Sequence, residues 1–572
     1  MREHSVFLRR ALSILSILGL IITTTTMSPP FIFAQETAPS SQETANQKTD
    51  TDELAPLPLS PIEKAEKEGT ALRLSLKEVT KMALQNNLDI AIQDTNEEYN
   101  QLNIRQQFGN YDPQLTASLQ YTSQKSAPYT TYNFSSDYKN QNTTANWDFT
   151  FTQPVKTGGT LTAQWNSGRS ESNTTSTIFN PRYSSSASVK FTQPLLRNFR
   201  IDSIRGNIKI ANLDIKTSDS KFKQTVTDTI SNIQKSYWDL VLQIENFYIQ
   251  RNSVELARTN YRNNKRRVEV GTLAPIDVTD AEATMAQREV NLLSAEESIV
   301  RAENSLRSLI SNDRKAEIWQ KMIVPTDVPD FQEYKIDAET AIETAMKYRP
   351  ELEQSDFDLQ KLSVNRKLLE NNRRWKFDLN ATFGGSGLAG PQSYRMSDTG
   401  ELLPQTPPAL VGGIGNAYET IFTQGYTNWT ISFDVTIPLR NRSLDAQIAQ
   451  NRIDKERKVM TLRQTEQNIQ VEVRNALQKL ETSHKKVQQT ALARQLAKER
   501  YDGENKRFEA GLSENYRVLE TQNTLAQSEY DELSAKIGYK TAVIDLQKAI
   551  YTLIESSDFE VAKGSSGKIA AE

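Results

Sequence analysis

The period of the apolar positions changes several times along the chain. From Leu74 to about Phe108 it is helical, opening on Leu-Ser-Leu-Lys-Glu, where Ser75 and Glu78 have the spacing of a capping box. From Asp112 the period becomes two: Leu115, Ala117, Leu119 and Tyr121 alternate with Thr116, Ser118 and Gln120. The same alternation returns at Trp147, Phe149, Phe151, at Leu161, Ala163, Trp165, and at Ala187, Val189, Phe191. Far downstream it recurs at Phe377, Leu379, Ala381, Phe383 and at Trp429, Ile431, Phe433, Val435, Ile437. Strict alternation predicts half-buried strands.

The connections between these strands differ in length. Residues 122–144, 170–184 and 384–426 are long and polar, whereas Pro154 to Thr160 is a tight Lys-Thr-Gly-Gly turn. Short turns at one end, long loops at the other and aromatics near strand ends are the pattern of outer-membrane barrel strands. A soluble sandwich with one apolar face would share the alternation but not this asymmetry. The 147–165 hairpin either projects from an external loop or joins the barrel wall.

Most of the remaining chain is helical. Between Ile201 and Val324 the single proline is Pro275, and from Asn441 to Glu572 there is none. Leu462, Ile469 and Ala476 lie seven apart, as do Val473, Leu480 and Val487 offset by four, which is the seam of a coiled coil. A helix of about 65 residues reaches roughly 100 Å.

Each helical stretch breaks once, at Arg267-Val-Glu-Val-Gly271 and at Arg507-Phe-Glu-Ala-Gly511, and the two breaks superpose without a gap at an offset of 240. Glycine supplies the left-handed backbone that ends one helix and reverses the chain. The Lys265-Arg266-Arg267 run reads most simply as a solvated helix end that complements the dipole. Phe191-Thr-Gln-Pro-Leu195 and Val435-Thr-Ile-Pro-Leu439 mark the strand-to-helix transition twice. The chain therefore reads as an internal duplication. Its first repeat is 73–322, with strands in 113–195 and a turn at 271. A connector covers 323–335. The second repeat is 336–556, with strands in 375–439 and a turn at 511, and a flexible tail follows at 557–572. A few strands per half cannot close a barrel, and open sheet edges are not tolerated in hydrocarbon, so several copies must share one wall.

Composition narrows the chemistry. The 572 residues contain no cysteine and only His4 and His484, which removes disulfides, thiolate sites and almost any basis for a histidine-dependent enzyme. With 68 Lys and Arg against 71 Asp and Glu, no nucleic-acid partner is implied. Arg9 and Arg10 precede an apolar run from Ala11 to about Ile22, and Ala34 offers a small cleavage residue, so 1–34 reads as a secretory signal peptide. Residues 35–72, rich in Thr, Ser, Gln, Glu and Pro, read as a disordered linker.

In the order of these features the chain resembles the TolC-like outer-membrane factor family. The resemblance is carried by Leu74-Ser-Leu-Lys-Glu-Val with Ala83-Leu84-Gln-Asn-Asn, by its echo from Ala338 to Pro350, and by the paired Pro-Leu transitions and Gly-turns. It covers about Leu74 to Ile554. It implies an α+β membrane protein: a homotrimeric outer-membrane β-barrel continued by a long periplasmic α-helical coiled-coil barrel. It further implies a passive exit channel in a tripartite efflux or type I secretion system, without cofactor or metal. The implied partners are outer-membrane lipid, a periplasmic membrane-fusion adaptor and an inner-membrane pump of the RND, ABC or MFS type. By position the resemblance places adaptor docking at Val270, Gly271, Thr272, Ala510, Gly511 and Leu512. It places the periplasmic entrance at Asp277, Asp280, Arg517 and Glu520. Arg517 stands where the family has an acid, and pairing of Arg517 with Asp277 is expected to hold the entrance shut. A surface adhesin or a periplasmic adaptor subunit would share the signal peptide, strands and coiled coil, but not two hairpins around matching Gly-turns.

Overall fold

Residues 57, 59–127, 139–173, 178–397 and 399–556 are described by the computed structural model. The chain divides into units Met1–Pro56 and Leu57–Glu572, and every described residue lies in the second. The expected signal peptide, most of the linker and the tail 557–572 fall outside the described residues.

The first half runs α1 (Pro61–Glu68), β1 (Ala71–Leu74), α2 (Leu76–Asn86) and α3 (Leu88–Phe108). Four strands follow, β2 (Gln114–Ser126), β3 (Asn140–Pro154), β4 (Thr160–Ser172) and β5 (Arg182–Pro194), then α4 (Ser203–Glu269) and α5 (Pro275–Ile310). A short β6 (Met322–Pro325) leads to the second half, α6 (Ala338–Tyr348), α7 (Pro350–Asn372) and β7 (Lys376–Ala389). There follow β8 (Tyr394–Met396), β9 (Leu402–Pro404), α8 (Ile414–Thr423) and β10 (Thr427–Thr436). The chain then forms α9 (Arg442–Glu509), α10 (Asn515–Ala549) and a single turn α11 (Leu553–Ser556).

Four boundaries differ from expectation. The linker ends earlier than 72, because Ser60 and Glu63 cap α1 reciprocally, Pro61 occupies its first turn, and β1 pairs in parallel with β6. That pairing, Ala71 opposite Met322, also turns part of the expected connector into a strand. The polar loop 384–426 contains the end of β7, the β8–β9 hairpin and α8. The opening helix is two helices, since Asn87 ends α2 and accepts hydrogen bonds from the amides of Asp89 and Ile90 to cap α3.

A single six-stranded sheet holds the alternating segments in the order β10-β7-β5-β4-β3-β2, antiparallel throughout. The 147–165 hairpin is therefore part of this sheet: β3 and β4 lie between β2 and β5. Register explains the alternation. Leu115, Phe151, Ala163, Val189, Phe383 and Trp429 are successive cross-strand neighbours, so one face is apolar from edge to edge. Thr116, Thr150, Gln164 and Ser188 form the neighbouring row on the other face.

The helices form a layer below the sheet. Beside the strands the neighbours run α3-α4-α7-α9, and beyond them α5-α4-α10-α9. The 67 residues of α4 and 68 of α9 each extend about 100 Å, and shorter helices stacked end to end cover them. Ile469, Val473, Ala476, Leu480 and Val487 of the predicted seam are buried against α10 and α6. At the junction of α6 and α7 the buried Arg349 donates from Nε to the Ala549 carbonyl at 2.9 Å and pairs with Glu351 and Glu472. Asn87 makes the matching contact in the first half, donating from Nδ2 to the Leu309 carbonyl at 3.1 Å.

Asp545 ties three helices together, pairing with Lys235 of α4 and with Lys479 of α9 at 2.8 Å. Burial alone raises its pKa, but the two lysines outweigh that and hold it below the ordinary 3.8. The ionised carboxylate thus favours the folded packing. Its contribution is complete above about pH 4 and is lost as pH falls through the depressed folded value. Thermal unfolding between pH 5 and pH 2 should show a stability loss that is smaller, by about 1 kcal/mol, in Asp545→Asn. Equal pH slopes in the two proteins would remove this role.

Candidate functional site

Two regions have the geometry of function: the hairpin tips and the strand wall. At the first tip, Val270 closes α4 and Gly271 takes φ +78°. The Gly271 amide donates to the Val268 carbonyl and the Thr272 amide to Arg267, a Schellman arrangement. The second tip repeats it bond for bond: Gly511 has φ +73°, its amide donates to Phe508, and that of Leu512 to Arg507. Pro275 then starts α5, its missing N–H costing nothing at a first turn. Val270 is 73 % exposed and Leu512 80 % exposed. Two apolar side chains thus project from rigid, matched turns into solvent.

The expected entrance residues sit one to two turns above the tips. Asp277 is half-buried; Asp280, Arg517 and Glu520 are exposed. Arg517 and Asp277 form no ion pair within the chain among the described residues, which corrects the expected latch. The cross-hairpin contact is made elsewhere. The Arg267 guanidinium lies over the Phe508 ring, 4.3 Å from its centroid, and its Nη1 reaches the Phe508 carbonyl at 3.5 Å. Asn260 Nδ2 donates to Asn515 Oδ1 at 3.2 Å. Arg267 is thus a cross-hairpin link as well as a helix end. A signal was present: at the 240-residue offset Phe508 replaces Val268, an aromatic one turn before an exposed Gly-turn.

In the wall, the β3–β4 turn is seated on the helical layer. Gly158 has φ +84°, and a Cβ there would lie 2.4 Å from the Asn198 carbonyl, with Arg205 and Asp202 also in reach. Thr157 Oγ1 donates to Gln193 Oε1 at 2.7 Å. The tight turn therefore faces the helices, and the strand ends Ser126, Asn140, Ser172 and Arg182 lie at the opposite end of the sheet. On the apolar face α8 packs against β7 and β5. Its Tyr418 accepts a hydrogen bond from Trp147 Nε1 at 3.0 Å and meets Trp165 edge-on at 5.5 Å. That face is otherwise uncovered: Leu119 is 82 % exposed and Trp429 72 %. No described helix is long and apolar enough to cross a membrane.

Solved structures share the architecture. The outer membrane channel CmeC of Campylobacter jejuni matches with a TM-score of 0.60 at 17% identity, covering 86% of this chain and 87% of that one. VceC from Vibrio cholerae matches with a TM-score of 0.56 at 13% identity, covering 85% and 97%. The open-state MtrE channel of Neisseria gonorrhoeae has a TM-score of 0.56 at 14% identity, covering 84% and 89%. No curated protein sequence matches significantly. At these identities the structures speak to the fold, but the sequence itself matches the outer membrane efflux protein family model over residues 159–312 and 343–550, more than half of the chain. With a one-sided apolar sheet, paired helical hairpins and this match together, the chain belongs to the outer membrane efflux protein family, a channel protein of the outer membrane that reaches across the periplasm and not an enzyme.

Proposed function

We infer that three copies of this internally duplicated chain form the exit channel of a tripartite export system, serving efflux or type I secretion. The observation that carries this reading is the unbroken path from a one-sided sheet, through two helices of about 100 Å, to two tips that share one turn geometry and each expose an apolar side chain. The polar strand face lines the bore and the apolar face meets outer-membrane lipid. Val270, Gly271, Thr272, Ala510, Gly511 and Leu512 dock a periplasmic membrane-fusion adaptor, which couples the channel to an inner-membrane pump of the RND, ABC or MFS type. Asp277, Asp280, Arg517 and Glu520 surround the periplasmic entrance. Protein purified from outer membranes and placed in planar bilayers should give discrete single-channel currents and a trimeric native mass. A soluble monomer without channel activity would refute the proposal.

Opening the entrance requires the two hairpins of each chain to part at their tips. Phe508→Ala removes the surface on which Arg267 rests, so closed-state conductance should rise severalfold, as loss of about 1 kcal/mol permits. Arg517→Ala, with no partner across the hairpins within its chain, should leave closed-state conductance unchanged. The opposite order of effects in bilayer recordings would return the latch to Arg517.

A further inference from the structure

The sheet has two free edges, β2 on one side and β10 on the other. Those edges continue into the helices: β2 follows α3, and β10 leads into α9. The helical layer ends on the same two elements, α3 at one side near the strands and α9 at the other. One continuous border therefore runs β2-α3 and its opposite runs β10-α9.

Both borders carry unpartnered apolar residues at heptad spacing. On α3 these are Ile92, 59 % exposed, and Tyr99, 70 % exposed; on α9 they are Ile453 and Met460, 54 % and 66 % exposed. Their heights match. Tyr99 lies nine residues from the sheet end of α3 and Ile453 eleven from that of α9. Ile92 and Met460 lie sixteen and eighteen residues from the same ends. Strand direction agrees as well. With six strands antiparallel in sequence order, β2 and β10 run oppositely, so β2 of one copy can extend the antiparallel ladder through β10 of the next.

Resting on the trimeric channel reading above, we propose that the occupant of each border is a second copy of this chain, docked β2-α3 against β10-α9, and that three copies close an eighteen-stranded wall. The β3–β4 hairpin is what enlarges it, because without it each copy would contribute four strands of the sheet. Geometry favours the larger ring. Eighteen strands about 4.8 Å apart and tilted about 40° close at a diameter of about 36 Å, and twelve at about 24 Å. Twelve helices, four per copy beside the strands, form a ring of about 35 Å at a spacing of about 9 Å. An eighteen-stranded wall meets that ring without a taper; a twelve-stranded wall narrows the exit by about a third.

Electron cryomicroscopy of the full chain in lipid nanodiscs tests this by counting strands. Eighteen strands in a trimer, with Asn140–Ser172 inside the wall, is the expected result. A trimer with twelve strands and that hairpin outside would overturn the inference and leave the channel reading standing. A particle that is not a trimeric cylinder would overturn both. The cysteine-free chain allows a second readout that needs no image. Tyr99→Cys with Ile453→Cys should link copies into covalent trimers, and so should Ser118→Cys combined in turn with Cys at Thr430, Ser432 or Asp434. Links through the helices but through none of the strand pairs would show copies joined without β2–β10 closure, overturning the wall and sparing the trimer.

Discussion

Arg349→Ala should lower the unfolding free energy by about 3 kcal/mol, measured by denaturant or thermal unfolding of the detergent-solubilised protein. Arg349 is only 7 % exposed. It stands between α6 and α7, and its guanidinium joins the end of α10 to Glu472 on α9. Removing it leaves the Ala549 carbonyl without its donor, which costs about 1–3 kcal/mol at a buried site. The buried stem also loses its packing. Glu472 is half-exposed, so its carboxylate returns to water and adds little. Arg349→Lys keeps the charge but not the planar fork and should fall between the two. In the first half, Asn87→Ala should cost about 1–2 kcal/mol, since a cap and one hydrogen bond to Leu309 are lost but no charge is involved. If Arg349→Ala proved no more damaging than Asn87→Ala, the junction would not depend on the guanidinium.

The double variant Val270→Asp with Leu512→Asp should abolish export while leaving the channel itself intact. Both side chains are largely exposed, and the turns are held by backbone amides and by Thr272 Oγ1 donating to the Arg267 carbonyl, bonds that neither side chain supplies. Apolar anchors at the centre of a small interface dominate its energy, and a loss of about 3 kcal/mol or more lowers adaptor affinity by over about a hundredfold. Cells carrying the variant should lose resistance or secretion to the level of a deletion strain. The purified protein should retain its melting temperature and single-channel current. Export at the original level would show that the tips are not the docking surface.

Much of this architecture was legible in residue order. Alternation at Leu115–Tyr121 and at Trp429–Ile437 placed strands that the structure contains, because period two directly encodes which side chains share a face. The Ile469–Val487 seam is buried as its heptad spacing requires. The Gly271 and Gly511 turns were readable because a left-handed residue is a local demand that one amino acid meets best. Ser60 and Glu63 form an equally local capping box, but it lies inside the segment 35–72 that polar composition assigned to a disordered linker.

At the hairpin tips the turns were legible but the contacts between them were not. The tips fell where the Gly-turns placed them, whereas the cross-hairpin contact proved to be Arg267 on Phe508, not Arg517 with Asp277. Charge suggests many partners for an arginine, and only packing brings one within reach.

The sequence by itself determined the local elements: which segments alternate, where the long helices reverse, and which helix faces are apolar. Tertiary structure alone decided that β3 and β4 lie within the sheet, that β1 finds β6 about 250 residues away, and that Arg349 meets Ala549. The reason is physical. Periodicity and turn chemistry act over a few residues, but the choice of neighbour depends on which surfaces can bury each other once the whole chain has collapsed, and no short stretch of sequence contains that information.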